Sequence, residues 1–397
     1  MKVAVALIYA MVTAPMAMAW GREAHVVIGE VATHFLSPRG LRLVRQLIPG
    51  KTLAGVSLWA DGVKMAKQYS FTRDFHYIKT KDNPPRKCSF SDERDCKDGK
   101  CLVGAIARYT SVFKSPKKKS RRELVDAFKF LVHFIGDLSQ PLHTSGHKNG
   151  GHSTKVKYGD ITTSLHFVLD HYIPRMRIKE NFGGNIRRYA HYLINRIKYE
   201  RKHGRTSRWL SRRSIFDVNG RGNSMIAMEW AKGSNALSCS AVWSAYYANP
   251  KQDFSTGFYK KIRPIIDLQL AKSAYRLAFL INKIADAVWQ RRSVRVTPRT
   301  TANDNQQGYS TVHWLPDSRL PLDPFLVETG IGSLLTRSLV SRVRLLERSV
   351  TKKTPINDIC SGTDNDVFTL NVQGQLVRSQ RWFWSRRTKQ LYKTDTG

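Results

Sequence analysis

Apolar residues in this chain recur mainly at intervals of three and four, the spacing that lines one face of a helix. The densest block covers residues 130–143, where Phe130, Leu131, Val132, Phe134, Ile135, Leu138 and Leu142 leave few polar positions. It reads as one buried helix stopped by Pro141. Ahead of it, the same period predicts a helix that follows His25 and runs to about Leu36, ended by Ser37 and Pro38, and others over 56–68 and over 102–112. After it come a short helical segment at 164–170 and long helical patterns over 184–200, 224–237 and 262–290. Strand-like alternation is scarce up to that point, so this part of the chain reads as all-α. From Arg291 the pattern changes. Thr, Asn, Gln and Pro dominate to about residue 324 as in a linker, a short amphipathic stretch covers 331–350, and residues 367–392 alternate weakly about Gly374.

The first nineteen residues stand apart: Lys2, an apolar run over 3–14, then Ala17-Met18-Ala19 ahead of Trp20. That order of a charged start, an apolar middle and a small-x-small end predicts a signal peptide cut before Trp20, too short to span a bilayer as a helix. No later stretch has the apolar length of a membrane span, so the expected mature protein is soluble and exported, without stable membrane insertion. The expected layout is a signal peptide over 1–19, a helical domain over 20–290 and a basic extension over 291–397.

Charge narrows the partners. The 397 residues are 41% hydrophobic, which fits a globular chain, yet 66 Lys and Arg face 30 Asp and Glu, a formal charge of +36. An excess this large implies an anionic partner, and nucleic acid or an anionic membrane surface both qualify. In the tail, arginines interleave with Trp382, Phe383 and Trp384, a pattern that suits single-stranded bases and equally suits a tail packed on a domain. The basic tract 114–122 reads first as a solvated turn before the central helix. Five cysteines in an exported chain favour disulfides; Cys88, Cys96 and Cys101 share a polar loop, Cys239 and Cys360 lie far off, and the pairing stays open with one left over. No C-x-x-C pair supports a zinc–thiolate site.

The candidate chemistry sits in the apolar blocks. His133 and Asp137 lie four residues apart on the central helix and leave the same face, and His143 falls just past Pro141. His166 and Asp170 repeat the spacing. Buried His and Asp cost free energy unless paired or bound to a cation, and a satisfied polar network in the core is the plain alternative for one such pair. Two pairs, with Asp61, His76 and His25, make a ligand inventory. Cleavage before Trp20 would add its free α-amine and carbonyl, which can chelate a metal together with His25. These nine groups are too many for one ion and suit three, with Asp137 able to bridge two of them. Clustered divalent cations are what phosphoester hydrolysis uses.

At this level the sequence resembles the S1/P1 nuclease family, secreted zinc-dependent enzymes. The resemblance rests on Trp20 with His25 five residues on, Trp59-Ala60-Asp61, Phe75-His76-Tyr77, the block from His133 through Asp137 to Gln140-Pro141-Leu142-His143, and Leu165-His166 through Asp170. It continues through Glu229-Trp230-Ala231 and Gln269-Leu270-Ala271 and so covers residues 20–290. It implies the all-α fold shared with zinc phospholipase C and three Zn2+ ions: one on Asp61, His76, His133 and bridging Asp137, one on Trp20, His25 and Asp137, one on His143, His166 and Asp170. It implies a monomer that cuts single-stranded DNA and RNA to 5′-phosphate products by metal-activated hydroxide, with 3′-nucleotidase action on 3′-nucleotides. Asp61, Lys64 and Asp137 would be catalytic, with Tyr77 and Lys79 binding substrate. The implied disulfides are Cys96 with Cys101 and Cys88 with Cys239.

Some positions depart from the family pattern. Lys64 stands where Arg is usual, which keeps the charge and loses the bidentate fork. Lys79 replaces a polar or acidic residue that contacts the base, His152 follows Gly150-Gly151 where Asn is usual, and Leu169 replaces an aromatic. There is no Asn-x-Ser/Thr sequon. Two other classes compete: a zinc phospholipase C, which typically has Glu as its last ligand and a longer gap after the terminal Trp, and a catalytically dead nucleic-acid binder. Asp170, the short Trp20 to His25 gap and the complete ligand set favour the nuclease.

Overall fold

A computed structural model describes residues 20–293 and, in a separate unit, four short strands between residues 369 and 394. In the first unit the chain is almost wholly helical, as its apolar period predicts. It opens with α1 (Arg22–His34), α2 (Pro38–Leu47), α3 (Leu53–Val56), α4 (Trp59–Val63), α5 (Asp92–Asp95) and α6 (Leu102–Ser111). Next come α7 (Arg121–Asp137), α8 (Leu165–Phe167), α9 (Ile173–Phe182), α10 (Ile186–Lys202), α11 (Met225–Leu237), α12 (Ser244–Ala248) and α13 (Tyr259–Ser293). None of the helices described is long and apolar enough to cross a membrane.

Helix α7 is the centre. Ser120 caps it by accepting from the Glu123 backbone N–H while the Glu123 carboxylate accepts from the Ser120 N–H, so the basic tract yields to helix at a defined residue. From Ala127 onward nearly every side chain is buried, against α6, α4, α1, α2 and α13. Phe128, Phe130 and Phe134 are each at most 1% exposed, and burial of that kind contributes about 1.5–3 kcal/mol per side chain. Polar ligand-type residues on α7 therefore sit in a dry interior held rigid from several sides.

Several boundaries differ from the periodicity. The central helix ends at Asp137, not at Pro141, because Ser139 Oγ donates to the Gly136 carbonyl and Gln140 is extended, the conformation favoured before a proline. Pro141–Thr144 then forms a 3-10 turn that brings His143 back over the helix end. The expected helix at 56–68 breaks into α3, α4 and a 3-10 segment, Lys67–His76, with Ala66 extended between them. Ser37 and Pro38 end one helix and begin another: Ser37 Oγ accepts from the Gly40 N–H and Pro38 takes the first position of α2. A hairpin, β1 (Lys155–Tyr158) with β2 (Ile161–Ser164), occupies a stretch that carries too little alternation to announce it. Around His166 the chain runs through α8, a π turn at Val168–Tyr172 and α9.

In the second unit, β3 (Thr369–Leu370) pairs antiparallel with β4 (Leu376–Val377), and β5 (Arg381–Ser385) with β6 (Gln390–Thr394). The expected signal peptide, the linker after Ser293, the amphipathic stretch at 331–350 and Cys360 lie outside the described residues.

Candidate metal centre

Four separate elements converge on Asp137. His25 comes from the first turn of α1, Asp61 from α4, His76 from the end of the 3-10 segment, and His133 lies one turn back on α7. His25 Nε2 is 3.2 Å from Asp137 Oδ1, while His76 Nδ1 and His133 Nε2 each stand 3.1 Å from Oδ2. Asp61 Oδ1 lies 3.6 Å from His76 Nδ1 and 3.8 Å from His133 Nε2. One carboxylate thus faces histidines on both of its oxygens. The His25 ring stacks on His133 at 4.1 Å and lies against Gly136, where a Cβ would come within 2.7 Å of the ring. Gly136 is the clearance that lets α1 deliver His25.

The second group is assembled more locally. His143 comes from the 3-10 turn, His166 from α8 and Asp170 from the π turn, an irregularity frequent at functional sites. His166 Nε2 is 2.9 Å from Asp170 Oδ2, and His143 Nε2 is 3.8 Å from Oδ1. Gln140 Nε2 donates to Asp170 Oδ1 at 2.6 Å, which sets the carboxylate plane. Among the described residues, three groups have ligand atoms close enough to share an ion: His25, Asp61 and His133; His76, His133 and Asp137; His143, His166 and Asp170.

The donor chemistry fits cations. His133 Nδ1 donates to the Ser57 carbonyl at 2.7 Å, His143 Nδ1 to the His76 carbonyl at 2.9 Å and His166 Nδ1 to the Gly150 carbonyl at 2.7 Å. In neutral rings this leaves each Nε2 as a lone pair turned toward a carboxylate, the arrangement that orients imidazole for a metal. Buried atoms are left without hydrogen-bond partners here, among them His76 Nε2, His143 Nε2, Asp61 Oδ2 and Asp137 Oδ1. Burial would raise the carboxyl pKa of Asp137, but the adjacent histidines hold it well below the usual range, and Asp170 is held down the same way. Burial lowers His25 and His76, whereas at His133 the charges of Asp137 and Asp61 outweigh burial and lift it to about 9. Ionised carboxylates facing neutral imidazole nitrogens are the donor set that a divalent cation requires, and its charge would take the place of the proton that these carboxylates favour on His133.

Trp20 is fully buried beside both groups. Its indole Nε1 donates to Ser139 Oγ at 3.0 Å, and the Gly21 N–H donates to the Asp170 carbonyl at 2.9 Å. The Trp20 side chain and the Gly21 backbone thus tie the start of the domain to the residues just past Asp137 and to Asp170.

A cavity of about 490 Å³ opens over the centre, and Lys64, Arg73, His76, Tyr77, Lys79 and His152 are among the residues that line it. Lys64 is nearly buried and its ammonium is 2.7 Å from Asp61 Oδ1. Tyr77 donates its hydroxyl to Asp74, and Lys79 Nζ lies 5.0 Å over the Tyr77 ring. The Tyr77 carbonyl accepts from the Leu102 N–H, which ties the wall to the loop closed by the Cys96–Cys101 disulfide; Cys88 is bonded to Cys239. Arg73 and His152 are additions to the expected site residues. Arg73 Nε donates to the Lys64 carbonyl at 3.3 Å, and the His152 ring stacks on His166 at 3.7 Å. Burial, then the neighbouring His166, push His152 down to about 3, so it presents a neutral ring. The departure at His152 is visible in the sequence, while nothing in the sequence singles out Arg73.

Comparison with known proteins agrees with this geometry. The family model described as S1/P1 Nuclease matches residues 20–286. Nuclease P1 of Penicillium citrinum is 30% identical over 269 residues, covering 67% of this chain and 97% of that protein. Nuclease S1 of Aspergillus oryzae is 31% identical over 275 residues, 67% of this chain and 92% of that one. Endonuclease 2 of Arabidopsis thaliana is 30% identical over 297 residues, 72% and 96% respectively. With buried His and Asp groups able to hold metal ions and a match over most of its length, this chain belongs to the S1/P1 nuclease family.

Proposed function

We propose that the protein is a secreted zinc endonuclease that hydrolyses phosphodiesters of single-stranded DNA and RNA to 5′-phosphate products and removes the phosphate of 3′-nucleotides. The observation that carries this reading is the pair of buried His and Asp clusters at the floor of a cavity walled by Lys64, Arg73, Lys79 and Tyr77. Three ions would be held by Asp61, His76, His133 and Asp137, by Trp20, His25 and Asp137, and by His143, His166 and Asp170. Zinc in such a site supplies Lewis-acid charge on phosphate oxygens and activation of water near neutral pH. Asp137, shared by two of these sets, keeps them adjacent. Lys64 places an ammonium beside Asp61 at the cavity wall, where it offsets negative charge that a phosphate brings in. Tyr77 offers a ring for a base, which must leave a duplex to reach it, so single strands are preferred. Maturation before Trp20 would free the amine of a residue whose indole bonds Ser139 and whose neighbour Gly21 bonds the Asp170 backbone carbonyl.

The test is hydrolysis of single-stranded DNA, a 3′-nucleotide and phosphatidylcholine by the mature protein, with and without chelator. Chelator-sensitive cleavage of the first two supports the reading. Hydrolysis of phosphatidylcholine alone, or no turnover with full metal content, overturns it.

A further inference from the structure

A second feature lies away from the metal centre. Between residues 186 and 213, ten of 28 residues are Lys or Arg and one, Glu200, is acidic. Glu200 is itself neutralised by Arg205 at 2.6 Å. The buried side of α10, with Tyr189, Leu193 and Ile197, packs on α1 and α13. Its outer side carries Arg188, Tyr192, Asn195, Tyr199 and Lys202, all exposed and spaced four, three, four and three residues apart. That spacing is one straight stripe on a helix, about 21 Å long at 1.5 Å per residue. Tyr192 and Tyr199 are 38% and 57% exposed, unusual for large aromatic side chains. Each ring has a guanidinium against it, Arg177 at 5.1 Å from Tyr192 and Arg205 at 5.1 Å from Tyr199, which holds it in place.

We infer that this face of α10 is an accessory binding surface for a single-stranded nucleic acid, with Arg188 and Lys202 of the stripe and the exposed Lys198 at its edge on its phosphates, and Tyr199, beside Tyr192, under its bases. Alternating cations and exposed rings match such a strand, since stacking tolerates any base and cations follow the backbone. An anionic bilayer is the poorer occupant because the exposed stripe has no aliphatic side chain to insert, the apolar side of α10 being spent on α1 and α13. The assignment rests on the proposed nuclease reading and extends it. A long substrate would be held at two places, so that binding at α10 raises the local concentration of its own scissile bonds at the cavity.

The test compares a 40-nucleotide strand with a dinucleotide on the mature, metal-loaded protein. Replacing Arg188, Lys198 and Lys202 together by Gln should raise KM for the long strand roughly tenfold at physiological salt. It should also flatten the log–log salt dependence by about 2, at about 0.7 per lost phosphate contact. Tyr199→Ala should raise the same KM about fivefold or more, the range expected for one stacked base. Dinucleotide kcat and KM should not move in either variant. Equal effects on both lengths, or none on the long strand, overturn the proposal, as does loss of binding to phosphatidylserine vesicles with strand kinetics unchanged. If the unaltered protein cleaves neither substrate, the nuclease reading fails. Anisotropy of a phosphorothioate strand still reads the surface, and equal affinity of triple variant and parent would then overturn it.

Discussion

The Asp137 and Asp170 groups use the same side chains and reach them by different routes. Around Asp137, ligand-type residues arrive from α1, α4, the 3-10 segment and α7, elements far apart in sequence, and the carboxylate sits at the buried end of α7. Around Asp170, the partners lie within residues 140–170 and hang on a 3-10 turn, a short helix and a π turn. The first group depends on global packing and shares one carboxylate between two sets of histidines. The second depends on local hydrogen bonds, from the Gln140 amide to Asp170 and from His166 to the Gly150 carbonyl. Damage should therefore spread in the first group and stay confined in the second.

The largest expected effect follows from that sharing. Asp137→Asn should release two ions and lower turnover by several orders of magnitude while the helical circular dichroism is retained, since one charge serves both sets. Asp170→Asn should release one ion. Metal analysis of the two variants breaks the comparison if both lose the same number.

Gly136→Ala and Gln140→Ala sharpen the contrast. The added methyl, 2.7 Å from the His25 ring, should displace that ring and weaken metal retention at the Asp137 group alone. Removing the Gln140 amide should cost about 10–100-fold in metal affinity at the Asp170 group alone, the scale usual for a residue that orients a ligand. Titration with a graded series of chelators separates them, and a loss at the wrong group in either variant would contradict the division.

The smallest effect should come from Tyr77 on the cavity wall, whose hydroxyl bonds Asp74 rather than a ligand-type residue. Tyr77→Ala should raise KM by the about 1–3 kcal/mol of one stacked base and leave metal content alone. A change confined to kcat would remove Tyr77 as a binding platform.

How much of this was legible in the sequence follows the same division. His133 and Asp137 meet because helical spacing puts them on one face, and that spacing survives any error in where the helix ends. His166 and Asp170 show the same interval, although the chain between them passes into a π turn that periodicity does not reveal. The end of α7 falls short of Pro141 because the Ser139 hydroxyl bonded to the Gly136 carbonyl and the Gln140 side chain accepting from the Leu142 N–H, not a break in apolar pattern, stop it. The hairpin at 155–164 buries only Val156 and has too little alternation to show. Arg73 and Gln140 act through contacts that helical spacing does not encode, Gln140 onto Asp170 and Arg73 onto the Lys64 backbone.

The most direct measurement is metal content per chain beside single-strand turnover, for mature protein beginning at Trp20 and for protein carrying extra residues ahead of it. The account predicts three zinc ions and full activity for the first, two ions and most activity lost for the second. Two ions in a fully active mature chain, or full activity with Trp20 blocked, would contradict it.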